Sequence, residues 1–202
     1  MGCSLEHQEH GFTLIELLIV MAISFVVLGA VFSTLVVQRR AFAVQEQIAE
    51  MVQTARATID MMSREIRMAG YDPTGAGFHG IPYDATQLQI RSDLRGDGAN
   101  DPCDGDTNDR NENITYKYYD ETVQIKRKTG SGRFQPFAEN VQVFSFAYLD
   151  SNGSPTTTTA DIRQVRLTIT ARAAKRDPGY SANGGYRTYT LTTLITPNNL
   201  AI

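Results

Sequence analysis

Residues equipped for chemistry are few in this chain of 202. Its histidines are His7, His10 and His79, and its cysteines are Cys3 and Cys103. Three of these five fall in the first eleven residues. A histidine-based metal centre or a Ser/His/Asp arrangement in the remainder would rest on His79 alone, in a glycine-rich stretch. Gly75-Ala-Gly77 and Gly96-Asp-Gly98 are too short for a nucleotide-binding fingerprint, and neither follows a clear strand and opens a helix. An enzyme is therefore not expected. Two carboxylate arrangements stand out instead. The first is Glu16, alone near the start of the apolar run Phe12 to Val37. The second is residues 93–112, with seven acids against two arginines, a density hard to order without a cation or good solvation. Asp93, Asp97, Asp101, Asp104, Asp106 and Asp109 are oxygen ligands of the kind calcium uses. Counted from Asp104, the EF-hand glycine is missing at the sixth position and no Glu closes the loop. The run reads either as a calcium loop of another kind or as a solvated or partner-contacting acidic surface, and no other cofactor is indicated.

The apolar run is 26 residues long, roughly 39 Å as a helix, against about 30 Å for a hydrocarbon core. It reads as a membrane segment. A carboxylate inside it costs a few kcal/mol, on the order of 3, unless compensated. The run contains no Lys or Arg, so a partner must come from outside. A free amino terminus created by cleavage at Gly11, on this chain or a neighbour, would serve; so would a position close enough to the membrane surface to reach water.

The stretch GFTLIEL, Gly11 to Leu17, resembles the processing site of type IV prepilins and of the pseudopilins of type II secretion. The resemblance implies that a prepilin peptidase cuts after Gly11 and methylates the new terminal residue, Phe12. It also implies that Glu16 pairs with the terminal amine of an adjacent subunit during filament growth. Residues 1–11 would then be a cleaved leader, although this one carries no Lys or Arg. Arg39 and Arg40 follow the run instead. By the positive-inside rule alone they would hold the large domain in the cytoplasm; the resemblance places it in the periplasm. A secretory signal peptide has an apolar core of only about 7–15 residues, despite the small-x-small Ala41-Phe42-Ala43 here. Lipidation at Gly2 or Cys3 lacks its pattern, with Glu6 where Ser or Thr is needed and no apolar stretch before Cys3.

Helical periodicity continues beyond the arginines. Val44, Ile48, Met51, Ala55, Ile59, Met62, Ile66 and Ala69 draw one apolar stripe, opposite Glu46, Glu50, Gln53, Arg56, Asp60, Arg64 and Arg67. One helix from about Phe12 to Ala69 is expected, with local bending or melting at Gly29, capped by Gly70 and stopped before Pro73. ARATIDMMSREIRMAGYDP, Ala55 to Pro73, resembles the segment after the stalk in the PilW family of type IV pilus minor pilins. Arg64, Glu65, Arg67, Ala69, Gly70 and Tyr71 carry that likeness. Strands are expected at Gln87–Arg91, at Ile114–Tyr119 and Thr122–Arg127 as a hairpin, and at Val141–Tyr148 as the central strand. Two more follow at Ile162–Ala173 and Tyr186–Thr196.

Together these give an α+β, pilin-like fold: leader 1–11, membrane or filament-core half 12–37, amphipathic half 38–70, and a β-rich head 71–202 whose antiparallel sheet covers the helix stripe. The head strands also resemble PilW-like pilins and the J-type minor pseudopilin. Loss of the leader would leave Cys103 without an internal disulfide partner. The net charge of −3 points to no nucleic acid partner. The expected function is a minor pilin in pilus initiation, working with the prepilin peptidase, other minor and major pilins, the inner-membrane assembly platform and, before assembly, the lipid bilayer. A minor pseudopilin and an anchored binding module that never assembles are the alternatives.

Overall fold

The computed structural model describes residues 12–96, 102–109 and 111–200. One helix, α1, Leu14–Met68, is followed by seven strands: β1 Gln87–Arg91, β2 Asn113–Tyr119, β3 Gln124–Thr129, β4 Gln135–Ala138, β5 Val141–Leu149, β6 Gln164–Arg172 and β7 Thr188–Ile195. The chain forms two compact units, Met1–Gln45 and Glu46–Ile202.

In the first unit α1 is apolar on all sides and long enough to cross a membrane. Its hydroxyls are satisfied within the helix. Ser24 donates to the Val20 carbonyl at 2.7 Å, and Ser33 and Thr34 both donate to the Ala30 carbonyl at 2.9 Å, so none of the three needs water. The helix runs unbroken through Gly29. The expected melting there does not occur, because one glycine costs only about 1 kcal/mol against its many flanking helix bonds.

The second unit builds its core on the lower α1 stripe. Met51, Ala55, Ile59, Met62, Ile66 and Ala69 are buried as expected. Val44 is only half-buried and Ile48 is exposed, so the buried stripe starts at Met51, about two turns later than the periodicity suggested. The antiparallel strands form two sheets rather than one, ordered β1-β2-β3-β4 and β5-β6-β7. Leu88, Ile90, Tyr116 and Ile125 of the first and Phe144, Val165, Leu167 and Ile169 of the second join Ile59, Met62 and Ile66 in one cluster.

Three strand expectations change. β5 is an edge of its sheet and β6 is the centre. A bulge between Val141 and Val143 re-phases β5, so Val141, Phe144 and Tyr148 are all buried while Val143 is exposed. Thr122 belongs to a short 3-10 turn, Asp120–Thr122, after which Val123 takes φ +53° before β3 begins. β4 was not foreseen. It contains Pro136, which its edge position tolerates.

Candidate processing and assembly site

Gly11 lies outside the described residues. Phe12 and Thr13 precede the first helical turn. Thr13 is the N-cap: its Oγ1 accepts the Glu16 backbone N–H at 3.3 Å, and its carbonyl accepts Leu17 N–H at 3.2 Å. Thr-x-x-Glu is the capping-box pattern, with Phe12 and Leu17 in the staple positions before the cap and at the fourth helical residue. Glu16 thus sits in the first turn, where the helix N-terminus presents partial positive charge. That compensation is absent from the expectations above, although the Thr13–Glu16 spacing signals it.

The second set, Arg64 to Tyr71, is split by the helix. Arg64 and Arg67 are exposed. Glu65 turns toward the first sheet, where its carboxylate accepts Tyr116 Oη at 2.5 Å and pairs with Arg127 Nη2 at 2.7 Å. Burial, then the Glu65 charge, push the Tyr116 phenol far above its usual value. At Arg127 burial opposes the charge, but the Glu65 hydrogen bond and charge outweigh it and its pKa rises. Both effects keep Tyr116 neutral and Arg127 charged, the states this network needs.

Ala69 is fully buried and Gly70 takes φ +76°, where an L side chain is strained. Gly70 N–H bonds the Arg91 carbonyl at 2.9 Å, and Arg91 N–H bonds the Gly80 carbonyl at 2.8 Å. A Cβ on Gly80 would stand 2.2 Å from the Gly70 nitrogen. The last helical carbonyls are met by the chain's own end, with Asn198 N–H donating to Arg67 O at 3.0 Å. Tyr71 is exposed, and its backbone bonds Met68 and Asp93. The motif residues therefore form the joint between helix, first sheet and C-terminal tail.

The acidic run behaves differently. Asp97 and Asp101 lie outside the described residues. Asp104 and Asp106 are exposed and build turns, accepting Asp106 N–H at 3.1 Å and Asn108 N–H at 2.7 Å. Asp93 and Glu112 are fully buried. Asp93 Oδ2 accepts Gly105 N–H at 3.0 Å; Glu112 Oε1 accepts Leu94 and Arg95 N–H at 2.7 and 2.8 Å. Among the described residues no three His, Cys, Asp or Glu side chains converge to hold a metal ion. Burial, then the Asp93 charge, raise the Cys103 pKa and keep it a thiol, the unreactive form.

Residues 7–32 match the prokaryotic N-terminal methylation motif, and residues 44–196 match the family described as prepilin peptidase-dependent protein B. A search of curated protein sequences gave no match. Among solved structures, a type IV-like pilin from Thermus thermophilus is similar at 13% identity and a TM-score of 0.46, over 74% of this chain and 98% of that one.

Proposed function

The chain belongs to the prepilin peptidase-dependent protein B family, and from that premise we propose that it is a minor pilin of a type IV pilus, acting in filament initiation. The observation that carries this reading is the processing sequence Gly11-Phe-Thr-Leu-Ile-Glu16 lying directly before and across the cap of an all-round apolar helix. Cleavage after Gly11 frees the Phe12 amine one residue before the N-cap. The amine of one subunit then meets Glu16 of another, and an unpaired carboxylate in an apolar phase penalises any subunit out of register. Before assembly the same helix anchors the subunit in the inner membrane with its head in the periplasm. Prepilin peptidase, the assembly platform and other pilins are its partners, and the protein carries no catalysis.

The Arg64–Tyr71 likeness to PilW-type pilins favours the pilus over a secretion pseudopilus, and complementation of a deletion strain tests it. Deletion should abolish surface pili and leave type II secretion intact; wild-type protein should restore pili and Glu16→Ala should not. Loss of secretion with pili intact would assign the chain to the pseudopilins. Full function of Glu16→Ala would point to an anchored module that never assembles.

A further inference from the structure

The outward face of the first sheet has no part in this assembly reading. Tyr116 and Arg127 reach Glu65, and Ile114 and Ile125 enter the core, so alternate positions on these strands face away. The register puts Lys117 directly opposite Lys126 and Thr115 opposite Lys128, with Gln89 and Arg91 continuing that face on β1; Thr115 is buried and the Arg91 Nε is covered, so the open part of the face is the lysine end. The outward positions of the four strands thus carry Arg91, Lys117, Lys126 and Lys128 and no carboxylate. Like charges directly opposite destabilise a sheet, and no ion pair among the described residues relieves the three lysines. Aromatic rings accompany them. Lys126 Nζ lies 4.4 Å from the Tyr119 ring centre and Lys128 Nζ 5.3 Å from that of Phe134, and the two rings meet edge to face at 5.9 Å.

We propose that this face binds single-stranded nucleic acid. The three lysines neutralise successive phosphates, and Tyr119 and Phe134 offer stacking surfaces for unpaired bases. A strand face with aromatic side chains suits splayed single strands better than the grooves of a duplex. The net charge of −3 averages this face with the acidic run 93–112 and so hides it. An anionic polysaccharide would use the same cations but offers no bases to the rings.

The test is fluorescence anisotropy of a labelled oligothymidylate titrated with the full-length chain in neutral detergent, at rising salt. Saturable binding is expected, with a log–log salt slope of about −2 for three cations. Lys117→Gln, Lys126→Gln and Lys128→Gln combined should weaken it at least about tenfold. Its thermal midpoint should hold or rise, because the opposed pair is gone. Should that variant fail to fold, Lys117→Gln alone should still weaken binding and reduce the salt slope. Tyr119→Leu should weaken binding with the slope unchanged, whereas Arg166→Gln, a cation of the other sheet, should leave it intact. Absent saturable binding, undiminished binding by the lysine variants, or heparin bound as tightly as the oligonucleotide would overturn the proposal.

Discussion

Glu16 must find compensation in an apolar setting, and Thr13 decides part of it by fixing where the helix begins. Thr13→Val should remove the acceptor for the Glu16 N–H and cost the first turn about 1 kcal/mol. Hydrogen exchange in bicelles would show it as faster exchange at Glu16 and Leu17, and unchanged exchange would contradict the cap. At Glu65, replacement by Gln leaves Arg127 and Tyr116 without their carboxylate, which should cost about 1–3 kcal/mol in urea unfolding. The phenol offers an independent check. Tyr116 keeps its proton in the folded state through burial first and Glu65 second, whereas an unfolded tyrosine loses it near pH 10. The stabilisation is therefore fully present below about pH 10 and lost as pH rises beyond it. The stability difference between wild type and Tyr116→Phe should hold constant below about pH 10 and shrink progressively above it, and a difference that stays constant above that pH would contradict the assignment.

At the scale of elements, the joint after α1 is the tightest place in the fold. Gly80→Ala would drive a methyl into the Gly70 backbone, with no flexible side chain to yield. A loss of about 3 kcal/mol or more is expected by urea unfolding, and a loss within experimental error would mean that the two segments separate easily. Sequence pattern located α1 within two residues at each end and β1 at its observed bounds, because strong periodicity and a glycine stop leave little competition. It placed β6 well for the same reason, since Val165, Leu167, Ile169 and Ala171 alternate cleanly into the core. The division into two sheets was not legible, because it depends on strand partners distant in sequence. The β5 bulge hid behind apolar residues on both faces, and Pro136 argued against β4. For the candidate site, Gly70 was readable as a cap, but its encounter with Gly80 and the role of Glu65 exist only once β1, β2 and β3 are folded. The Asn198 bond to Arg67 likewise joins residues that no local pattern relates.

For the whole molecule, the methylation motif and the apolar helix lie in the first unit, whereas the second carries the packed joint and the basic face. The two can be varied separately: Glu16→Ala addresses assembly and leaves the core residues of the second unit untouched, while Gly80→Ala addresses folding of the second unit. In the function proposed above, assembly depends on one covalent event at Gly11, which makes the mature N-terminus the decisive quantity. Intact mass of the protein from native membranes, with mapping of its N-terminal peptide, measures it directly. The account predicts a chain beginning at Phe12 and carrying one added methyl group. A chain retaining residues 1–11 in cells with active prepilin peptidase would contradict it.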